Sequence, residues 1–373
     1  LIVFFLHWLV RSYRSGSFSL RLSSSILAYF AVVSVALLQA GLVRYPFLVR
    51  PYVEMLLLVT VPLLSIELTD RDVYRLLAGL TTGGAITAAF ALYHAFGDPN
   101  FLITADLLQE SVFKTKPGGI SAFFGSRLQS FTGNPNTLGL MMLLTSLLSF
   151  GFLFDTEDRD LLVRAGFGVL FALSAVALML TRSRDDIGLF AVGLALFVVL
   201  YRRKTPLALG SLVFAGAMFL NLDQILGYFL LLLEHGNPRF EIWAAGVEFY
   251  GFDLLPGVGY VDRRFLTSNP FDSTYFRILI QTGVVGLGLF LWINARLLLG
   301  LLADVLERGI QTVPITLFVL ITVMLGTFAF MTGLFFWPFT LYYWLLIALA
   351  VRYLSEDESS GGDVLGTAVR PVE

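Results

Sequence analysis

The chain has 373 residues, of which 57% are hydrophobic and 14% are charged. A soluble globular domain carries about 25% charged residues, so this composition excludes that class and indicates an integral membrane protein. The net charge of −2 argues against a nucleic-acid partner. Cysteine is absent, which excludes a disulfide framework, a thiol nucleophile and a thiolate metal site. The three histidines, His7, His94 and His235, are too scattered to suggest a histidine metal cluster.

Apolar segments of membrane-spanning length follow one another along the chain. A hydrocarbon core about 30 Å thick needs about 20 apolar residues as a helix, with a range of about 17–25. The first run is interrupted by His7 and Arg11, and we interpret it as the remnant of a span whose beginning is missing. The pattern predicts an all-α membrane protein with about eleven transmembrane helices in one domain over 1–354. After the first run, the predicted segments lie near 25–43, 52–67, 76–96, 138–154, 165–181, 187–201, 206–222, 276–301, 312–334 and 339–353.

Orientation follows from the basic residues of the short loops, which favour the cytoplasmic side. Arg202-Arg203-Lys204 and the cluster around Arg11, Arg14 and Arg21 are separated by an even number of predicted spans, so both can lie inside. The long loops 97–137 and 223–275 and the turn 182–186 then face outside. The polar, glycine-rich segment 355–373 is predicted to be a disordered cytoplasmic tail.

The end of the first long loop carries one polar cluster, from Arg127 to Asn134-Pro135-Asn136. One interpretation is a helix start, with Asn134 at the N-cap and Pro135 at the first helical position. That interpretation leaves Arg127 unexplained. Arginine matches phosphate well because its planar guanidinium group binds two oxygens at once.

Two further clusters lie on the predicted outer face. Arg184 follows Ser183 in the turn 182–186, where an interfacial arginine can also simply reach toward water. Arg239 and Trp243 are one helical turn apart in the second long loop. An amphipathic surface helix over 239–250, with Trp243 as an interfacial anchor, explains the tryptophan. It does not explain Arg239, because a cation at a helix start opposes the helix dipole.

In chain order, these clusters are followed by Pro256-Gly257-Val258-Gly259, by Asp272-Ser273 and by Gly283-x-x-Gly286. Together they resemble the O-antigen ligase and O-antigen polymerase family of multi-pass glycosyltransferases over about Arg127 to Gly288. The resemblance implies that a glycan moves from a polyprenyl-diphosphate carrier to an acceptor on the outer face of the plasma membrane, without a metal or cofactor. Implied partners are the lipid-linked donor, the glycan acceptor, the bilayer and other membrane proteins of polysaccharide assembly.

The resemblance also implies roles for individual residues. Arg127, Arg184 and Arg239 match the outer-face arginines thought to hold the donor diphosphate. Ligases have a histidine where this chain has Asp272, so the departure favours a polymerase over a ligase. The catalytic candidates are therefore Asp272, Arg239 and Arg184. The substrate-binding candidates are Arg127, Asn134, Asn136, Ser183, Trp243 and Tyr275.

Bond cleavage leaves negative charge on the departing diphosphate, and either a metal or preorganised arginines must stabilise it. The predicted first outer loop, 44–51, contains Arg44 and Arg50 and no carboxylate, which favours arginine. Asp272 would accept the proton of the acceptor hydroxyl as it attacks, with inversion at the anomeric carbon. Alternatively, Asp272 caps the helix that begins near Ser273 or Thr274. Close helix packing is the simpler interpretation of Gly283, Gly286 and Gly288.

A secondary transporter is the alternative from another class. Transporters carry ionisable residues or broken helices near the bilayer midplane. The predicted spans 138–154, 165–181, 187–201, 206–222 and 312–334 contain no charge, and the polar residues gather at the outer rim. A lipid-binding scaffold would tolerate the arginines but would not need Asp272. The sequence therefore favours the glycosyltransferase.

Overall fold

A computed structural model describes residues 24–39, 70–97, 113–114, 127–128, 130–132, 134–154, 161–201, 238–259, 273–308, 311–331 and 339–360. Almost all of this part of the chain is helical. Its nine α-helices are α1 Ser24–Gln39, α2 Asp70–Phe96, α3 Pro135–Leu153, α4 Leu161–Thr181, α5 Arg184–Tyr201, α6 Pro238–Tyr250, α7 Thr274–Arg308, α8 Thr312–Phe330 and α9 Phe339–Ser360. Two short 3₁₀ helices cover Ser130–Thr132 and Gly251–Leu254, and the strands β1 Phe113–Lys114 and β2 Arg127–Leu128 pair antiparallel.

The expected all-α membrane architecture is confirmed. Within the described residues, five helices are long and apolar enough to cross a membrane: Val73–Phe96, Pro135–Leu153, Leu161–Thr181, Thr274–Glu307 and Thr312–Phe330. A shorter apolar helix covers Tyr342–Leu354. The predicted segments 52–67 and 206–222 and the first apolar run lie outside the described residues, so the total of eleven spans stays a prediction.

Several helix boundaries differ from the expected ones. Helix α9 continues to Ser360, so the predicted disordered tail begins with helix. The turn expected at 182–186 is confined to Arg182 and Ser183, because α5 already begins at Arg184. Helix α2 begins at Asp70, six residues before the predicted segment 76–96.

The chain divides into two compact units, a division that no sequence feature marks. The first unit comprises Leu1–Thr69, Asn237–Asp304 and Phe328–Glu373. The second unit comprises Asp70–Gly236 and Val305–Thr327. Each unit is therefore assembled from segments that are distant in sequence.

Helix α3 is the centre of the second unit and packs against α2, α4 and α5. Fifteen of its nineteen residues are buried, as expected for a helix that is apolar on every side. The ring of Phe150 lies 5.2 Å from that of Phe171 in α4 and 5.4 Å from that of Phe197 in α5. These aromatic contacts hold three helices around one core.

One end of the second unit collects the loop segments, and we call it the loop end. Helix α2 ends here, because His94 in its last turn hydrogen-bonds to Ser130 just before α3. Helices α4 and α5 meet here as well, since a Cβ on Gly139 near the start of α3 would contact Thr181, Ser183 and Asp186. The expectation that loop 97–137 and turn 182–186 lie on the same side agrees with this arrangement.

The first unit is built around an aromatic core shared by α1, α7 and α9. The ring of Phe290 in α7 lies 6.0 Å from that of Tyr29 and 5.8 Å from that of Tyr343. The hydroxyl of Tyr343 donates a 2.9 Å hydrogen bond to Oδ1 of Asn294. This matched polar pair in a mainly apolar core helps to hold α9 in register with α7.

Helix α7 is broken at Gly283, where the backbone has φ 71° and ψ −173°. The loop 255–259 crosses the break and takes over the hydrogen bonds that the helix loses there. Val258 N donates to Ile280 O (2.7 Å), Gly259 N to Gln281 O (3.1 Å) and Val284 N to Leu255 O (3.2 Å). Non-helical backbone at membrane depth needs such replacement partners, because lipid offers none.

Candidate functional site

Asn134 caps helix α3 at the loop end. It has extended φ and ψ of −148° and 121°, and its Oδ1 accepts a 2.9 Å hydrogen bond from the Asn136 backbone N–H. Pro135 occupies the first helical position. The helix-start interpretation is therefore confirmed. The Oδ1 atom of Asn134 is engaged in the cap, and Asn134 remains exposed at the loop end.

Arg127 reaches the loop end through β2. The next residue, Leu128, is fully buried, and β2 contacts both α3 and α4. In the antiparallel pair, Arg127 lies opposite Lys114.

The connection between α4 and α5 is a tight, buried turn. Arg182 has a positive φ of 50°, and the Ser183 backbone N–H donates a 3.2 Å hydrogen bond to Oγ1 of Thr181. The carbonyl of Ser183 accepts the first hydrogen bond of α5, from Ile187. Ser183 is only 3% exposed, so its main observed role is in this turn. Arg184, at the first position of α5, is exposed.

Close packing at Gly139 brings these segments together. A Cβ on Gly139 would lie 2.9 Å from Cβ of Ser183, so only glycine leaves room for the turn against α3. Gly139 is one helical turn from Pro135, which places the start of α3 beside the start of α5. Five predicted site residues thus lie in segments that meet at the loop end: Arg127, Asn134, Asn136, Ser183 and Arg184.

The loop end has features that attract anions. The N-termini of α3 and α5 both lie here and bring partial positive charge. At the start of α5, the charges of Arg182 and Arg184 are balanced by those of Asp185 and Asp186. Asp186 is buried, with 2% exposure, whereas Arg184 is exposed. An exposed arginine beside a helix N-terminus can contact an anion.

In the first unit, Trp243 and Tyr275 line one cavity of about 230 Å³. Helix α6 contributes Trp243, and the remaining lining comes from α7 with its cap and from the end of α8. The lining residues are Trp243, Ser273, Tyr275, Phe276, Leu279, Leu287 and Ala329. The structure thus unites two predicted substrate-binding residues in a mainly apolar and aromatic cavity.

Ser273 caps helix α7. Its Oγ lies 3.5 Å from the backbone N of Phe276, and its carbonyl accepts from the N–H of Arg277. The capping role considered for Asp272 is therefore filled by its neighbour. Asp272 itself lies outside the described residues. Its role as a base stays a prediction.

Arg239 is the second residue of α6, one turn before Trp243. The structure describes its backbone only. The helix predicted over 239–250 is present. Glu241 and Glu248 are two turns apart on one face and are both exposed, and Phe249 is 81% exposed. The amphipathic character of this helix stays a prediction. At its end, partial burial raises the pKa of the Tyr250 hydroxyl.

The glycine motifs that follow have a role that sequence reasoning missed. Gly283 and Gly257, both with positive φ, cross at the helix break, and a Cβ on Gly257 would lie 2.8 Å from the Gln281 carbonyl oxygen. Gly286 packs against Thr282 of its own helix, and Gly288 has open space around its Cα. The helix-packing interpretation is therefore wrong for Gly283, and for Gly288 it stays a prediction. The sequence signal that could have revealed this crossing was the presence of glycines in both motifs, Pro256-Gly257-Val258-Gly259 and Gly283-x-x-Gly286.

The sequence also did not predict the buried hydrogen bond between His94 and Ser130, because the two residues are 36 positions apart. In the part of the chain that the structure describes, no three His, Asp or Glu side chains are grouped to hold a metal ion. A metal-independent reaction stays a prediction.

The predicted site residues thus fall into two groups, one in each unit. Arg127, Asn134, Asn136, Ser183 and Arg184 belong to the second unit, whereas Arg239, Trp243 and Tyr275 belong to the first. Comparison with known proteins shows no matching family model and no matching curated protein.

Proposed function

We propose that this protein is a metal-independent, inverting membrane glycosyltransferase. It moves a glycan from a polyprenyl-diphosphate carrier to a sugar hydroxyl on the outer face of the plasma membrane. The observation that supports the proposal is the loop end of the second unit, where the strand that carries Arg127 packs against α3 and α4 and where α5 begins with the exposed Arg184. Arginines beside a helix N-terminus suit a diphosphate.

Each group has a defined part in the proposed reaction. The acceptor oxygen bonds to the anomeric carbon while the bond from that carbon to the diphosphate oxygen breaks. The electron pair leaves on the diphosphate, and Asp272 takes the proton of the acceptor hydroxyl. The resemblance assigns Arg127, Arg184 and Arg239 to stabilising the departing charge. Removal of one such donor should lower the rate by about 10²–10³-fold, as for oxyanion-hole donors.

The cavity of the first unit supports the proposal because it suits the apolar part of the substrate, the isoprenoid chain. Its aromatic and aliphatic lining suits hydrocarbon, and Ser273 at its edge directly follows Asp272 in sequence. An isoprenoid chain has no hydrogen-bonding groups, so this lining leaves no polar group of such a ligand unpaired. We assign Trp243 and Tyr275 to holding the carrier lipid.

We favour polymerisation of polysaccharide repeat units over transfer to a lipid or protein acceptor, because Asp272 stands where ligases have histidine. The decisive experiment compares Asp272→Asn with Asp253→Asn, an exposed aspartate of the 3₁₀ helix after α6. In cells lacking the native protein, the proposal expects Asp253→Asn to restore long glycans and Asp272→Asn to fail. Restoration by Asp272→Asn, at equal protein level, would refute the proposed base.

The accumulated product separates polymerase from ligase. Cells without a polymerase retain single repeat units attached to the final acceptor. Cells without a ligase accumulate free lipid-linked glycan with nothing attached. We expect the first pattern.

The helix break at Gly283 favours transport as a second candidate. Gly283 lies nine residues after Thr274, about 13 Å into the helix and near the middle of a bilayer. Broken helices at this depth form ion and substrate sites in transporters. Here the loop 255–259 occupies the hydrogen-bonding groups at the break, which leaves fewer for a solute. Radiolabelled solute uptake into proteoliposomes tests this candidate directly.

A further inference from the structure

A buried hydrogen bond ties the segment between Arg127 and Asn134 to helix α2. Nδ1 of His94 lies 2.7 Å from Oγ of Ser130. His94 is 2% exposed and Ser130 is fully buried. The bond therefore joins the end of α2 to the short connection that carries Arg127 on one side and the α3 cap on the other.

The backbone at Ser130 needs such a constraint. Its φ of 47° lies in the left-handed region, which side chains other than glycine rarely adopt. A conformation of this kind persists only where the surrounding structure holds it. The 3₁₀ helix that begins at Ser130 contacts α2 and α3, and the hydrogen bond to His94 supplies a directional link at the strained residue.

We propose that His94 is a positioning residue for Arg127. His94 holds Ser130 in place, and Ser130 in turn fixes the segment that carries Arg127. Without the bond, the 3₁₀ turn relaxes and β2 loses its fixed place beside α3 and α4. Arg127 then no longer stays where the donor diphosphate is held. The inference rests on the proposed function, because Arg127 is a diphosphate-binding residue only within it.

A direct catalytic role does not fit this pair. A serine nucleophile with a histidine base must touch its substrate. Both side chains are closed to solvent, so a substrate reaches neither. The pair acts by holding the segment.

The test measures binding of farnesyl diphosphate to the purified full chain by isothermal titration calorimetry. Hydrogen exchange of residues 130–136 is followed in parallel. His94→Ala should raise the Kd roughly 5- to 30-fold, the factor that follows from losing one buried hydrogen bond. His94→Asn, whose amide can replace Nδ1, should restore both binding and slow exchange. Thr81→Ala is the control, because it removes another buried hydrogen bond of α2, to Leu77, and should leave the Kd unchanged.

Two further variants make every outcome decisive. Ser130→Ala removes the hydroxyl but keeps the strained φ and leaves His94 in place, so it should reproduce the effect of His94→Ala. Arg127→Ala tests the proposed function by itself. If Arg127→Ala raises the Kd while His94→Ala and Ser130→Ala leave it unchanged, the positioning role is overturned. If Arg127→Ala also has no effect, the diphosphate site at the loop end is overturned, and the inference with it.

Discussion

Replacing Gly283 with alanine places a methyl group where loop 255–259 crosses the broken helix α7. The added Cβ would lie 2.6 Å from the carbonyl carbon of Pro256 and 2.9 Å from the backbone N of Gly257. Both neighbours are backbone atoms, so no side chain can rotate away. Either the loop or the helix must move.

The cost has two parts. Alanine at φ 71° and ψ −173° adopts a conformation that is essentially restricted to glycine, at about 1–3 kcal/mol. Displacing the loop also breaks up to three hydrogen bonds, at about 0.5–1.5 kcal/mol each. The expected loss is therefore about 3–7 kcal/mol. A whole protein is stable by only about 5–15 kcal/mol, so this loss should be large enough to unfold the first unit locally.

Gly288→Ala is the matched control, because Gly288 lies five residues further along α7 with no atom within 4 Å of its Cβ position. Thermal unfolding of both variants in detergent can be followed by the fluorescence of the five tryptophans. We expect Gly283→Ala to unfold at a much lower temperature and Gly288→Ala to match or slightly exceed the native protein. Equal unfolding temperatures for the two variants would refute the interlocked loop and helix.

Other substitutions test the remaining contacts. Asn134→Ala should lower stability by about 1 kcal/mol in thermal unfolding, whereas Asn134→Asp keeps the cap; equal losses for both would contradict capping. Tyr343→Phe should cost about 1–3 kcal/mol because it leaves the amide oxygen of Asn294 buried without its donor, and a double-mutant cycle that shows no coupling would contradict the bond. Gly139→Ala should weaken farnesyl diphosphate binding, since the methyl group overlaps the turn between α4 and α5. Gly188→Ala should not weaken this binding, because the space around Gly188 is open. Similar binding by the two variants would argue against close packing at Gly139.

The helices could be predicted from the sequence because their causes are local. Eight predicted apolar segments coincide with helices, since the number of consecutive apolar residues sets where a span can lie. The cap at Asn134 was also readable, because it depends on a side chain and a backbone group two residues apart. The sequence likewise placed loop 97–137 and turn 182–186 on the same side, from the number of spans between them.

The candidate site was only partly predictable. Sequence order offered Arg127, Asn134 and Arg184 as separate signals, and the approach of the turn before Arg184 to the start of α3 depends on Gly139. The burial of Ser183 follows from the same packing. A sequence pattern does not show which side of a turn faces a neighbouring helix.

By itself, the sequence determined that this is a helical membrane protein, where most of its described helices lie and how helix α3 begins. Those properties arise from residues within a few positions of one another. Only the tertiary structure decided that α7 is broken and interlocked with loop 255–259, that His94 holds Ser130, and that the chain forms two units. These features depend on hydrogen bonds and close approaches between residues far apart in sequence. Such contacts form only once the helices have packed against one another.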